Sequence, residues 1–166
     1  MKKKYLLIVF AIIITSILIG ISILILLQKQ YDDSLLTKDL YTKVSDSFVT
    51  DGGIYLLDED VLLEISDTSL EYLIDYTVVR ANNAKNINEI GIFRVETATQ
   101  NKMKNVLERY VQNKQASYRS MNYFPEETEK IDFATVKIIG NYVVFSFLNE
   151  ADTNTFYKAI ENQLTK

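Results

Sequence analysis

Residues 135–148, with the sequence TVKIIGNYVVFSFL, contain the clearest structural signal in the chain. Two runs rich in β-branched and aromatic residues flank Gly140-Asn141, and such a dipeptide between two strands predicts a two-residue hairpin turn. The turn fixes a register in which one face is wholly apolar, with Ile138 facing Val143, Val136 facing Phe145 and Ala134 facing Phe147. The opposite face is mixed and carries Thr135, Lys137, Ser146, Tyr142 and Val144.

Further strands and helices are predicted on both sides of this hairpin. β-branched residues predict strands at 76–81 and 90–95, and residues 54–57 are a further candidate strand. One apolar stripe at helical spacing predicts a helix through Leu36, Leu40, Val44 and Phe48. A last helix begins after Asn149, and its apolar residues at i+4 spacing are Phe156, Ile160 and Leu164.

Two capping-box patterns predict two more helix starts. Thr68-x-x-Glu71 predicts a short helix around 68–73, and Thr97-x-x-Gln100 opens a long helix over 98–119. The inner face of the long helix is expected to consist of Met103, Val106, Leu107 and Tyr110. Pro125, followed by two glutamates, is typical of another helix start.

The order strand, strand, helix therefore occurs twice, which predicts an α+β fold. The simplest arrangement is one small domain with an antiparallel sheet of about four strands and helices packed on one face.

An unbroken apolar segment, residues 5–27, precedes this domain and carries no charge. As a helix it would span about 34 Å, slightly more than the roughly 30 Å hydrocarbon core of a bilayer. Lys2, Lys3 and Lys4 stand before it, and basic residues beside a first helix are retained in the cytoplasm. The sequence therefore predicts a single-pass anchor in the cytoplasmic membrane, contacting membrane lipid through residues 5–27, with the N-terminus inside.

This orientation divides the chain into a cytoplasmic tail (1–4), a transmembrane anchor (5–27), a tether (28–36) and an extracytoplasmic α+β domain (37–166). A cleaved signal peptide would have a shorter apolar stretch and small residues at the cut. A lipoprotein signal would need a Cys, but Ile21 follows Leu18-Ile19-Gly20 where that Cys would stand. An uncleaved anchor is therefore the prediction.

The composition excludes several classes of function. The absence of Cys and His removes disulfides, thiol and Ser-His-Asp catalysis, and the usual zinc and iron sites. The net charge is −4, and the three leading lysines lie outside the domain, so the domain is more acidic still and ill-suited to nucleic acid. Glycine motifs that bind phosphate are also absent. The sequence predicts no catalytic residue, no cofactor and no metal site.

Paired carboxylates are the remaining catalytic option. One cluster is Asp58, Glu59 and Asp60, and a second is Glu126, Glu127, Glu129 and Asp132. Glycan hydrolysis needs two carboxyls about 5–9 Å apart across a cleft, whereas acids at helix starts have a purely electrostatic explanation. The first cluster also lacks the spacing of a calcium-binding loop.

Basic and aromatic residues offer candidate binding surfaces. The long helix carries basic residues that either contact an anionic polymer or form a solvated face: Lys102, Lys104, Arg109, Lys114 and Arg119. Tyrosine suits half-wet contacts with sugars or peptides. A candidate ligand or partner surface therefore consists of Tyr110, Tyr118, Tyr123, Glu126 and Tyr142, with ordinary packing as the alternative.

From about residue 61 onward the chain resembles a bacterial family known only as domain of unknown function 4358. The resemblance rests on Asp75-Tyr76, Asn88-Glu89-Ile90-Gly91-Ile92-Phe93, Tyr123-Phe124-Pro125-Glu126, Ala134-Thr135-Val136 and Gly140-Asn141-Tyr142-Val143. It implies a lipoprotein or single-pass anchored protein with one small extracytoplasmic domain. It supplies no activity, and this chain lacks the lipid-bearing Cys.

Together these observations predict a non-enzymatic, membrane-anchored extracytoplasmic module that binds a partner protein, a cell-wall polymer or a small ligand. A carboxylate-based hydrolase acting on cell-wall glycan is the alternative.

Overall fold

The computed structural model of the chain describes residues 13–20, 30–48, 54–56, 60–65, 71–82, 85–121 and 125–166. The chain forms two units, Met1–Gln30 and Tyr31–Lys166. In the first unit, residues 13–20 form helix α1. No helix in the described part of the chain is both long and apolar enough to cross a membrane. Most of the predicted anchor, residues 5–27, falls outside the described residues, so the anchor remains a prediction.

The second unit contains five strands and five helices among its described residues. The strands are β1 (Ile54–Leu56), β2 (Leu73–Ala81), β3 (Glu89–Val95), β4 (Thr135–Ile139) and β5 (Tyr142–Phe147). The helices are α2 (Thr37–Val44), α3 (Asp60–Ile65), α4 (Gln100–Ser120), α5 (Thr128–Asp132) and α6 (Glu150–Leu164), with 3-10 turns at Ser45–Ser47 and Pro125–Glu127.

All five strands belong to one antiparallel sheet in the order β1-β2-β3-β5-β4. The four strands expected from the sequence are present, and the short candidate strand at residue 54 adds a fifth at one edge. The α+β class and the antiparallel sheet are confirmed. Strand β4 forms the opposite edge of the sheet.

The predicted placement of helices on one face of the sheet is wrong, because helices cover both faces. On one face, α3, α4 and α5 enclose the α4 core, a cluster that includes Met103, Leu107, Phe93, Phe145 and Phe147. On the other face, α2 and α6 enclose the α6 core, which includes Leu40, Phe156, Ile160, Ile92 and Val144. Strand β5 requires this arrangement, since its apolar side chains alternate toward both faces and every residue of the strand is buried.

The predicted hairpin register is confirmed. Val136 pairs with Phe145 and Ile138 with Val143, and Ala134 lies one residue before β4 begins. Gly140 has φ +58°, as a turn with glycine at its first central position requires. A Cβ on Gly140 would also lie 2.5 Å from Asp33 Oδ1, so a side chain at this position would force its neighbours to move.

The helices match the predictions in their apolar faces more closely than in their starts. Residues 103, 106, 107 and 110 are all buried in α4, and Leu40, Val44 and Phe48 are buried in their stripe, although Leu36 is 51% exposed. Asn149 caps α6 by accepting a hydrogen bond from the Asp152 amide at 2.8 Å. The helix expected around 68–73 is wrong at its described end, because Glu71 and Tyr72 form a turn and Leu73 begins β2.

The capping box at Thr97 is also wrong. Helix α4 begins after Thr99, which makes no side-chain cap, and both box residues bind the hairpin turn instead. Gln100 Nε2 donates to Asn141 Oδ1 at 2.9 Å, and Asn141 Nδ2 donates to Thr97 Oγ1 at 3.1 Å. The polar contacts of the turn therefore override the local helix-start pattern.

Residues 31–36, part of the predicted tether 28–36, pack on the domain. Tyr31 forms a β-bridge with Thr165, and the Asp32 amide donates to Leu164 O at 2.7 Å. Further along, Arg94 Nη1 donates to Ser34 O at 3.0 Å and the Tyr142 hydroxyl donates to Leu35 O at 2.6 Å. We call residues 31–36 the docked segment.

Candidate functional site

A buried carboxylate lies at the start of β3. Glu89 is only 2% exposed, and the strand register places it directly across from Arg80 on β2. From α4, the Tyr110 hydroxyl donates to Glu89 Oε1, and Lys114 Nζ lies 2.5 Å from Glu89 Oε2. Glu64 on α3 accepts from Arg80 Nη2 at 3.0 Å. These five side chains, Glu64, Arg80, Glu89, Tyr110 and Lys114, form the Glu89 cluster.

The Glu89 cluster is charge-balanced, with two carboxylates and two cations around one phenol. Burial, reinforced by the Glu89 carboxylate, raises the pKa of Tyr110 well above its ordinary value. Burial alone would lower the pKa of Arg80, but Glu89 and Glu64 outweigh it and the pKa is raised. At Glu64, burial opposes ionisation, yet the hydrogen bond from Arg80 and the charge of Lys114 hold the pKa below its usual range. Tyr110, Arg80 and Glu64 are therefore kept in their ordinary protonation states at neutral pH.

The Glu89 cluster is better suited to holding its helices and strands together than to catalysis. A general acid or base must reach a substrate, whereas Glu89 is enclosed and bound by Tyr110 and Lys114. The cluster joins α3, β2, β3 and α4, and its rim is formed by Glu64, 46% exposed at its side chain, and by the partly exposed Arg80 and Lys114. Removing one partner would leave an uncompensated charge, which is the costly event in such networks.

The second predicted acidic cluster is dispersed. Glu126 is exposed, whereas Glu127 is buried. Glu127 Oε2 accepts hydrogen bonds from the Ile87 amide at 3.0 Å and from Lys130 Nζ at 2.9 Å. It therefore links α5 to the residues just before β3. In the first cluster, only Asp60 falls in a described element, as the first residue of α3. Among the described residues, no group of three Asp or Glu side chains could hold a metal ion.

The predicted tyrosine surface is not assembled in one place. Tyr110 lies in the α4 core and Tyr142 in the α6 core, on opposite faces of the sheet. Burial raises the pKa of Tyr142 to about 12. Tyr118 packs edge-on to the Phe147 ring at 6.0 Å, Glu126 is exposed, and Tyr123 lies outside the described residues. The two buried tyrosines therefore cannot form part of a shared ligand surface.

The basic residues of α4 do not form one uninterrupted cationic face. Lys104 Nζ pairs with Glu108 at 3.4 Å, Lys114 belongs to the Glu89 cluster, and Arg119 Nη2 pairs with Asp132 at 2.8 Å. Their neighbouring acids offset the charge that an anionic polymer would need.

A groove of about 270 Å³ opens between α4 and the edge strand β4. The residues that line it are Glu108, Val111, Gln112, Gln115, Ala134, Thr135 and Val136. The lining is mixed, with apolar side chains from Val111, Ala134 and Val136 and polar ones from Glu108, Gln112, Gln115 and Thr135. Gln115 is held in place by its hydrogen bond to Ile131 O at 2.7 Å.

Sequence reasoning missed both of these features. The predicted strand begins at Ile90, one residue after Glu89, so no predicted element includes Glu89. A Glu beside an apolar strand, with Arg80 near the end of the preceding strand, was the available signal for a cross-strand ion pair. The groove depends on which strand lies at the edge, and strand order is not encoded in the local pattern.

The fold and these features define a three-layer α+β domain with a buried ionic cluster on one side and an edge groove between α4 and β4. A family model described as domain of unknown function (DUF4358) matches residues 60–148, more than half of the chain. The protein belongs to this family, as its resemblance predicted. The match runs from α3 to the residue after β5, so it includes the Glu89 cluster and the groove. No curated protein and no solved structure matches the chain.

Proposed function

We propose that this protein is a membrane-anchored, extracytoplasmic module that binds a partner and catalyses no reaction. The observation that carries the proposal is the groove between α4 and β4, which lies beside a sheet edge. Concave sites that combine apolar side chains with polar groups are the usual form of a binding site. The Glu89 cluster also favours a binding role over a catalytic one, since its carboxylate is enclosed and hydrogen-bonded to Tyr110 and Lys114.

Membrane anchoring is supported by the apolar segment 5–27 and by the character of its described part. The Ile and Leu side chains of α1 are 50–60% exposed, which is costly in water and favourable in hydrocarbon. The lysines at 2–4 favour an inside N-terminus. Nothing in the described residues favours the hydrolase alternative, because Glu126 and Glu127 face different surroundings and share no cleft.

The binding role can be tested by site-specific crosslinking in cells that produce the full chain. A photo-crosslinking residue at Gln112, which lines the groove, should give a discrete adduct with one partner. The same residue at Asn113, which is exposed on α4 and does not line the groove, is the matched control and should give none. Failure at Gln112, or equal adducts at both positions, would rule out the groove as the binding site.

The proposed location has a separate test. Protease added to intact, wall-stripped cells should degrade the domain while a cytoplasmic marker survives, and the intact mass should include residues 1–30. A domain that resists protease until the cells are lysed would contradict the proposed orientation.

A further inference from the structure

The hairpin turn determines which backbone groups of β4 face away from the sheet. In a hairpin with a two-residue turn, the residues beside the turn exchange hydrogen bonds, and this pairing alternates along the ladder. Ile139, Lys137 and Thr135 therefore bond to β5, through Tyr142, Val144 and Ser146. Val136 and Ile138 direct their N–H and C=O groups outward. No described strand pairs with that edge.

The groove lies on the side of the edge where alternate side chains of an added strand would enter. Val136 and Ile138 point toward the α4 core, and Val136 also lines the groove. Residues of an added strand that pair directly with these two would point to the same side. A volume of about 270 Å³ falls below the 300–1,000 Å³ typical of sites for drug-sized ligands and suits one or two side chains.

The opposite side of the edge carries a positive charge. Lys137 is exposed, and its Nζ lies 5.7 Å from the centre of the Tyr157 ring on α6. The residue of an added strand that faces Lys137 would therefore best be acidic, because opposite charges across strands are stabilising.

The same lysine disfavours a second copy of this chain as the occupant. An antiparallel β4–β4 pairing that uses both outward-facing residues of each copy must be centred on Lys137. It would place the two Lys137 side chains directly opposite each other, which is destabilising. A lysine on an exposed edge is a common protection against self-pairing.

We propose that β4 accepts an extended peptide of a partner protein as a sixth strand. The peptide pairs with the backbone of Val136 and Ile138, inserts an apolar side chain into the groove and presents an acidic side chain to Lys137. This inference rests on the proposed binding function and specifies its partner. Strand addition of this kind obtains affinity from the main chain and specificity from alternate side chains.

The first experiment is a selection of twelve-residue peptides displayed on phage. The target is the full chain in nanodiscs, with empty nanodiscs for counter-selection. The expected binders share an apolar-acidic-apolar pattern. A selection that yields no binder, or binders without this alternation, would overturn the proposal.

The second experiment tests main-chain pairing without altering the protein. Backbone N-methylation is scanned through the best peptide, and binding is followed by fluorescence anisotropy. Methylation should weaken binding about tenfold at alternate positions and little at those between, since a lost hydrogen bond of about 1.4 kcal/mol corresponds to a factor of ten. Uniform insensitivity would show that the peptide does not add as a strand.

Protein variants provide the matched comparison. Gln112→Trp fills the groove and should abolish binding, whereas Asn113→Trp, with the same change on the exposed side, should not. Val136→Pro removes one outward N–H donor and should therefore weaken binding. The fold should tolerate this change, because proline is accepted where an edge N–H faces solvent. Equal melting temperatures establish that the variants are folded.

The outcomes distinguish the two proposals. A crosslink at Gln112 together with no methylation pattern would leave the binding role standing and refute strand addition. Absence of the crosslink at Gln112 would rule out the groove as the binding site and, with it, both proposals. If sedimentation shows a dimer that Val136→Pro dissociates, the edge binds a second copy and the peptide proposal is wrong.

Discussion

Replacing Gly91 on β3 even by alanine is predicted to be strongly destabilising. It pairs with Phe145 on the neighbouring strand, and the Phe145 ring lies over it. A Cβ at this position would be 2.1 Å, 2.7 Å and 2.8 Å from three carbons of that ring. Ordinary carbon contacts are about 3.5–4.0 Å, so the ring would have to move by more than about 1 Å.

The ring is surrounded by other buried rings, which oppose such a movement. Phe145 is fully buried, and its ring centre lies 5.4 Å from Tyr110, 6.2 Å from Phe93 and 6.3 Å from Phe147. Overpacking of a dense core costs about 1–3 kcal/mol. We expect Gly91→Ala to lower the free energy of unfolding by about 3 kcal/mol, at the upper end of that range.

A double-mutant cycle identifies the cause. Phe145→Leu removes the overlapping ring atoms, so Gly91→Ala should cost at least about 1 kcal/mol less in that background. Urea unfolding of the compact unit 31–166, followed by near-ultraviolet circular dichroism, measures all four free energies. Gly140→Ala is the control, because its new methyl group meets Asp33 and Tyr31 and Phe145→Leu should not relieve it. Additivity within about 0.5 kcal/mol for Gly91→Ala and Phe145→Leu would refute the steric explanation.

Three further predictions concern charged and titrating groups. Glu89→Gln should lower the free energy of unfolding in urea by about 3 kcal/mol, because it leaves Lys114 and Arg80 facing a neutral group. Glu64→Gln at the exposed rim should lower it by under about 1 kcal/mol. Equal losses in the two variants would contradict the role of burial. Above pH 10 the free energy of unfolding should fall, because the unfolded chain ionises Tyr110 while the folded state, with its raised pKa, retains the proton. The slope is about 1.4 kcal/mol per pH unit for each such tyrosine, and Tyr110→Phe should make it shallower. Asp75→Asn should speed hydrogen exchange of the docked segment and α2, since Asp75 accepts from the Thr37 amide at 2.9 Å and from Arg94 Nε at 2.8 Å; unchanged exchange would exclude this attachment.

The parts of the fold that the sequence predicts are those with two independent local signals. At the hairpin, turn chemistry and side-chain alternation agree, and the register is correct. At α6, the Asn149 cap and the spacing of the apolar residues agree, and the helix begins where expected. Agreement between levels is the reason these elements could be assigned from one sequence.

The errors arise where a tertiary contact replaces a local one. Thr97 and Gln100 have the spacing of a capping box, but both form hydrogen bonds with Asn141 instead. Tyr142 and Val144 are the sequence signal for the second helical layer, because they make the second face of β5 largely apolar as well. Strands buried on both faces have this continuous apolar pattern.

The candidate sites were less predictable than the fold. The Glu89 cluster draws on four separate elements, and the groove requires β4 to be the edge strand. Neither the cluster nor the position of β4 at the edge corresponds to a fixed spacing of residues in the sequence. Tyrosine content, by contrast, led to a proposed surface whose members Tyr110 and Tyr142 are interior residues.

The bridge between Tyr31 and Thr165 determines how the domain would respond to tension. The two residues run antiparallel, and the chain enters and leaves at the same end of this pair. A force applied between residues 30 and 166 would therefore break the contacts of the docked segment one after another, beginning at the bridge. It would not load several of these contacts at the same time. In an optical-trap experiment, residues 31–36 should detach at low force while the sheet behind them remains intact.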